Sequence, residues 1–490
     1  MKAALVLAAA LACAVSAQTP QPPPEAPGKG VVRLGKVPVS NDIVKIRLPK
    51  PAEADLGNGV HLMVLEDHRA PQIQFSVIVP GAGGYYDPAD EPGLAAVTAA
   101  LMREGTASKS SSQISQQLEV MAASLGITAS SSSPDATISG ACLTDQATKL
   151  IDLAIDVVLH PTFPEDELAR YRQRMQAQLS QQRANPGFLA AEMFSRAVYG
   201  SHPAARMGLT PESIARITRE DLVQFHRAHY VPDGALLAIA GDVSMLQARM
   251  VLEGKLAAWK KPPVVTTVAV RDPAPIAGPG VFLVARPSSV QTNLVVGTQA
   301  VERTSPDYDA LVVMNKILGG GPTGRLFIHL REEKGYTYGA ASGLSTPAYR
   351  GEWQASTNVR TDVTEAALTD LLDEIRQMRD TAVSDEELAD AKRSLVAQYA
   401  LELESPAQLV SLAVNRWRFK LGADYYDRYA ERINAVTSEQ VQQVARKYLA
   451  PERLQIVAVG DPVRLTDTLK KLGPVETYDA DGNRVGGSRE

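Results

Sequence analysis

Two kinds of apolar spacing alternate along the chain. Residues 62–65 and 72–79 are short apolar runs that read as strands, and 127–131 and 136–142 form a second such pair. Around them the spacing changes to the three-and-four rhythm of helices, at 94–102, 113–124, 146–159 and 165–183, the last two long and amphipathic. Strands that are neighbours in sequence, with helices inserted in runs, predict an α+β fold and argue against a doubly wound parallel sheet.

The pattern then repeats. Residues 217–243 read ITREDLVQFHRAHYVPDGALLAIAGDV, and residues 436–461 read VTSEQVQQVARKYLAPERLQIVAVGD. Thr218, Pro232, Gly241 and Asp242 fall without gaps on Thr437, Pro451, Gly460 and Asp461, and FPEDEL at 163–168 meets VSDEEL at 383–388 at almost the same offset. Each copy is a helix opening at Thr or Ser, a proline turn, and an apolar strand ending in Gly-Asp. Two matches in the same order imply an internal duplication, giving two homologous α+β halves of about 210–220 residues each.

Prolines punctuate the rest. Pro20, Pro22, Pro23, Pro24 and Pro27 make 18–31 an extended tether, and Pro262, Pro263, Pro273, Pro275 and Pro279 make 261–280 a linker near the middle of the chain. The expected order is a leader at 1–17, the tether, a first domain at 32–260, the linker, a second domain at 281–475 and a flexible polar tail at 476–490. The leader opens with Lys2, runs through an apolar core at 3–12 and reaches Val15-Ser16-Ala17, as a secretory signal does. Ala10-Leu11-Ala12 is a poor lipobox before Cys13, so cleavage after Ala17 is expected over lipid attachment. Cleavage leaves Cys142 as the one thiol, which cannot form an intramolecular disulfide, and the bacterial periplasm is the expected address. No later apolar run is long enough to span a bilayer. A formal net charge of −5 without a dense basic block argues against nucleic acid as a partner.

Residues 92–106 read PGLAAVTAALMREGT. This frame resembles the metal-binding helix of the pitrilysin/insulinase-type metallopeptidases, where Gly-Leu-Ala precedes H-x-x-E-H and Gly-Thr follows. Gly93-Leu94-Ala95 and Gly105-Thr106 stand in place, but the five central positions are Ala96-Val97-Thr98-Ala99-Ala100. Two imidazoles four apart hold zinc, and the neighbouring carboxylate activates water. Ala96, Ala99 and Ala100 occupy the ligand and base positions and do neither. The resemblance places a third ligand, a glutamate, on a long helix further along. The matching stretch here, YRQRMQAQLSQQR at 171–183, offers Gln176, Gln178, Gln181 and Gln182 and no carboxylate. The expectation is no metal and no cofactor in this chain.

The second half keeps its motif. Residues 317–340 read ILGGGPTGRLFIHLREEKGYTYGA. This resembles the glycine-rich turn, R-L-F, L-R-E-x-x-G and following tyrosine of the same family, including the processing-peptidase subunits. The resemblance assigns Arg331 to peptide carbonyls and Tyr338 to the carbonyl under attack, where preorganised donors stabilise developing charge. It also suggests Gly319, Gly320 and Gly321 as a flexible turn beside bound peptide. A phosphate loop is excluded, because no Lys-Ser/Thr ends the run and Pro322 removes an N–H.

Other candidates are weaker. His226 and His229 could share a helical face, but no Glu or Asp is placed to complete a site, so packing is expected. Ser130 to Ser133 before Pro134 leave two readings open, a solvent-exposed turn or a neighbour of an edge that adds a peptide strand. No G-x-S-x-G, dinucleotide or Walker signature is present.

One half has lost its chemistry and the other has kept its motif. The resemblance therefore implies half of a clam-shell chamber. The chain would be a non-catalytic, substrate-binding subunit that lends Arg331 and Tyr338 to a sibling carrying H-x-x-E-H and zinc, with extended peptide as substrate. Whether the chain is itself an enzyme stays open. The alternative is an inactive peptide-binding or scaffold protein of the same fold.

Overall fold

A computed structural model describes residues 46–261 and 269–485. The leader, the tether, the opening of the first domain and the middle of the linker lie outside the described residues.

The first half contains β1 (Ala52–Asp55), β2 (His61–Glu66), β3 (Gln72–Pro80), β4 (Ser124–Ala129), β5 (Asp135–Leu143) and β6 (Leu236–Gly241). Its helices are α1 (Leu94–Leu101), α2 (Ser111–Val120), α3 (Ala147–Leu159), α4 (Glu165–Ala184), α5 (Pro186–Tyr199), α6 (Pro211–Arg216), α7 (Arg219–His229) and α8 (Met245–Leu256). The second half contains β7 (Gly280–Ala285), β8 (Gln291–Gln299), β9 (Thr337–Ser345), β10 (Glu352–Arg360), β11 (Gln455–Gly460) and β12 (Val475–Tyr478). Its helices are α9 (Tyr308–Leu318), α10 (Arg325–Phe327), α11 (Thr364–Asp380), α12 (Asp385–Glu402), α13 (Pro406–Arg418), α14 (Tyr429–Ala435), α15 (Ser438–Tyr448) and α16 (Pro462–Lys470).

Each half builds one six-stranded sheet, ordered β1-β2-β6-β3-β5-β4 and β12-β7-β11-β8-β10-β9. Without the added outer strands β1 and β12, the two orders are the same. In both sheets the first inner pair is parallel (β2 with β6, β7 with β11) and the remaining inner pairs are antiparallel. The fold is α+β and duplicated. β6 (LLAIAG) and β11 (QIVAVG) are buried along their whole length, as apolar runs at a sheet centre must be. The repeated threonines open the same helix in each copy: Thr218 caps α7 and Thr437 caps α15, both in capping boxes.

The tail expected at 476–490 is corrected in its first part. Val475–Tyr478 is a strand, pairing parallel with β7, and Val485 donates its N–H back to the Thr477 carbonyl. A strand of only four residues, VETY, is too short to show a periodicity, and its order comes from the neighbour it pairs with.

The halves are joined by a reciprocal exchange. One face of each sheet packs against helices of its own half. The other face receives a helix from the opposite half. α5 lays Leu189, Met193, Phe194 and Val198 on Val284, Val295, Val457 and Val459 of the second sheet. α13 lays Val410, Ala413 and Val414 on Met63, Leu65, Ile78, Leu236 and Ala238 of the first. Both crossing helices follow a long helix and begin with Pro at the first turn, Pro186 and Pro406, where the missing N–H costs nothing. Each large side chain so buried contributes about 1.5–3 kcal/mol. The described residues of the two halves accordingly form one compact unit.

Candidate functional site

The helix that resembles a zinc-binding helix is α1. Gly93 opens it at φ +93, and a Cβ there would stand 2.6 Å from Leu209. A Cβ at Gly105 would meet Pro164 at 2.9 Å. The framing glycines therefore have structural duties independent of any metal. Asp87 holds the helix start, accepting from the N–H groups of Gly93 at 2.7 Å and Ala95 at 2.8 Å. Burial pushes its carboxyl up to about 6, against the opposing pull of those two donors. Ala96 and Ala100 are half-buried on one face, and Ala99 is 1% exposed. On α4, Gln176, Gln178 and Gln181 are exposed and Gln182 half-buried. Among the described residues no group of three His, Cys, Asp or Glu could hold a metal ion. The alanines of α1 and the glutamines at the matching positions of α4 do not fit zinc.

Arg331 and Tyr338 come together. α10 continues into a π-helical turn, Ile328–Glu333, anchored by Leu326 and Leu330, both fully buried. Arg325 forks onto Glu387 at 2.8 and 3.0 Å, fixing the start of the turn. The Arg331 guanidinium carbon then lies 4.7 Å from the Phe327 ring centre and 5.0 Å from that of Tyr338. The cation is thus held between two aromatic faces. Tyr338 stands on β9, the edge strand of its sheet, and is 89% exposed.

Beside the pair lies a cleft of about 560 Å³, lined by Gly321, Pro322, Phe327, Gly339, Gln354 and Asn358 among others, with the start of α5 as its far wall. The expected flexible turn is corrected here. Gly319 is buried, accepts from the Ser342 N–H at 2.9 Å, and would place a Cβ 2.5 Å from that nitrogen. A Cβ on Gly320 would stand 2.7 Å from the Lys316 Cα, and Lys316 Nζ donates to the Gly320 carbonyl at 2.9 Å. Of the three glycines only Gly321, at φ +132, reaches the cleft. Gly319 and Gly320 serve close approach of backbone, so the turn is packed and tied.

The two histidines pack. His226 Nε2 meets the Val158 carbonyl at 2.7 Å, and burial lowers its pKa. His229 stacks on Phe225 at 4.2 Å. The serines at 130–133 form the β4–β5 turn, which meets the second half where Tyr349 donates to the Ser132 carbonyl at 3.0 Å.

Residues 62–212 match the family described as insulinase, peptidase family M16, and residues 216–395 match the peptidase M16 inactive domain. A solved structure from Pseudomonas fluorescens, described as a peptidase M16 inactive domain, is 30% identical with a TM-score of 0.77, and the likeness covers 84% of this chain and 98% of that one. The chain belongs to the M16 peptidase family. A further relative, an uncharacterised zinc protease of Bacillus subtilis, is 22% identical over 80% of this chain and 93% of its own. The fold is also shared with a periplasmic protease from Escherichia coli, at TM-score 0.70 and 16% identity, covering 85% of this chain and 46% of that one.

Within the M16 fold of this chain, the structure adds residues that motif reading passed over. His329 Nδ1 lies 2.7 Å from Glu374 Oε1, and Lys334 Nζ lies 3.7 Å from Asp370 Oδ2. The hydrogen bond of His329 and the longer ion pair of Lys334 tie the π-helical turn bearing Arg331 down to α11. The signal available in sequence was the spacing of Asp370 and Glu374, one helical turn apart.

Proposed function

We propose that this chain is the non-catalytic, substrate-binding subunit of a two-chain M16 metalloendopeptidase. The supporting observation is Arg331 held between Phe327 and Tyr338 at an exposed sheet edge beside a cleft, while α1 carries no ligand and the matching stretch of α4 presents glutamines in place of a carboxylate. A partner subunit with H-x-x-E-H would bring the metal and its activated water. This chain would close the other wall of the chamber. Its guanidinium fork would hold peptide carbonyls, and the Tyr338 hydroxyl would donate to the carbonyl oxygen as it becomes tetrahedral and gains charge. The substrate would be extended peptide. The periplasm fits the signal-like leader, and the Escherichia coli protease of the same fold is periplasmic.

The test is co-expression with an H-x-x-E-H sibling and assay on a quenched peptide. Activity of the pair, absent from either chain alone and lost with Tyr338→Phe, is the expected result. Full activity of the sibling by itself would sink the reading, and binding of peptide without any activity would favour the scaffold alternative.

A further inference from the structure

We propose that the cavity between the two halves binds a primary ammonium group on an alkyl arm, with Glu352 as its counter-ion. The cavity has a volume of about 840 Å³. Small-molecule sites typically enclose roughly 300–1,000 Å³ and favour domain interfaces. The serine turn at 130–133 forms one wall, α5 a second, the β9–β10 connection a third, and Trp417 and Phe419 at the end of α13 a fourth. Two bonds across the halves brace it: Tyr349 donates to the Ser132 carbonyl at 3.0 Å, and Arg418 pairs with Asp135 at 2.8 Å.

Among the described residues, four charged side chains line the cavity: Asp135, Arg206, Glu352 and Arg418. Three of them are matched. Arg418 and Asp135 neutralise each other. Arg206 donates to the Asp87 carbonyl at 2.8 Å and sets its charge against the Asp87 carboxylate. Glu352 is left. The Tyr199 hydroxyl donates to it, but its Oε2 is buried and makes no hydrogen bond. A carboxylate there has lost water and gained one neutral donor, so burial pushes its pKa up. A cation entering the cavity relieves that cost.

The chemistry of Glu352 selects an ammonium. A guanidinium forks onto both oxygens of a carboxylate, and Tyr199 already takes part of that edge. A metal ion needs several ligands, and Glu352 is one. An ammonium is a point charge that settles on a single oxygen. Phe194, Tyr199, Tyr349 and Trp417 supply aromatic surface for the arm and the cation. The arm belongs either to a free diamine or to a lysine of bound peptide, and the second source rests on the function proposed above. Ala191 and Gln354 line both this cavity and the cleft beside Arg331 and Tyr338. Glu352, Gln354, Ser356 and Asn358 alternate along one face of β10, so the strand between its ends spans about 20 Å. A peptide held at the cleft would reach Glu352 with a lysine about six residues away.

Titration calorimetry of the full chain with cadaverine reads the site without any peptidase activity. Saturable one-to-one binding is expected, weakened roughly tenfold by Glu352→Gln. Ser195→Trp fills the cavity from α5 and should abolish binding, which keeps the test open should Glu352→Gln fail to fold. A dozen-residue peptide with one lysine, set against its norleucine counterpart, separates the sources. A preference for lysine that Glu352→Gln removes assigns the peptide, and cadaverine binding without that preference assigns the free amine. Absence of saturable binding of both cadaverine and the lysine peptide, or undiminished binding to a folded variant, would overturn the site. Valerate binding as tightly as cadaverine would overturn the ammonium assignment. Each outcome reads the same whether or not a sibling subunit makes the pair active.

Discussion

The Arg331 guanidinium carbon lies 5.0 Å from the centre of the Tyr338 ring, across the turn that joins a π-helical segment to an edge strand. A π-helical turn is a rare conformation that recurs at functional sites. It is held here by the fork of Arg325 on Glu387 and by the His329–Glu374 bond. Tyr338 is almost fully exposed, so its hydroxyl does little for stability. On the proposed two-chain function, Tyr338→Phe should leave the melting temperature unchanged and lower kcat of the pair about 100-fold, the usual loss of an oxyanion donor. Arg331→Lys should not rescue Arg331→Ala, because an ammonium has neither the planar stack nor the fork. Steady-state kinetics beside thermal unfolding separates the two effects.

The exchange of α5 and α13 predicts that the halves unfold together. Phe194 Cζ stands 2.6 Å from where a Cβ on Gly297 would lie, and the Trp353 carbonyl oxygen 2.3 Å from it. Gly297→Ala should therefore cost about 1–3 kcal/mol by overpacking. Phe194→Ala should cost about 3–5 kcal/mol by leaving a cavity. Urea unfolding followed by circular dichroism and tryptophan fluorescence should give coincident single transitions in both variants. Separate transitions for the halves would contradict the exchange.

Asp87 makes stability depend on pH in a direction opposite to the usual salt-bridged carboxylate. Its folded value of about 6 lies above the ordinary 3.8, because burial outweighs the two N–H donors. The folded state thus binds the proton more tightly than the unfolded chain. The favourable contribution is complete below pH 4 and is lost as pH rises through 6, a change of about 3 kcal/mol at most. Asp135 and Glu352 are shifted the same way by burial and add to the trend. Asp87→Asn should flatten the fall in stability between pH 4 and 6.5, measured by urea midpoints.

The duplication was legible because two offset matches shared one order, and both inner sheets follow it. Strand and helix positions in the first half were close to those read from spacing. The boundary between α2 and β4 was misplaced: α2 ends at Val120, Ala122 turns the chain at φ +47, and β4 begins at Ser124, where the spacing had continued the helix. An alanine in the left-handed region is set by tertiary packing and has no sequence signature. The exchange of helices was hidden for a similar reason, since the apolar faces of α5 and α13 say that they are covered but not by which sheet. At the site, residue types named Arg331 and Tyr338, whereas their juxtaposition depends on the turn and on Glu374, a partner 45 positions from His329.

The absent metal site gives the last prediction. Purified chain should contain no stoichiometric zinc by elemental analysis. Ala96 and Ala100 are half-buried on one face of α1, so Ala96→His with Ala100→His should fold with little loss and take up zinc weakly, as two ligands do. Ala99 is different. It is 1% exposed, and a glutamate there must either bury a carboxylate or push apart the packing around α1. Adding Ala99→Glu should therefore destabilise the double variant by about 1–3 kcal/mol. The triple variant should still hydrolyse no peptide, because α4 presents glutamines where a third anionic ligand is required. Zinc titration and thermal unfolding of the series decide the matter. Tight zinc binding by the triple variant at unchanged stability would show that the helix lost only its ligands, and that the space around them was never repacked.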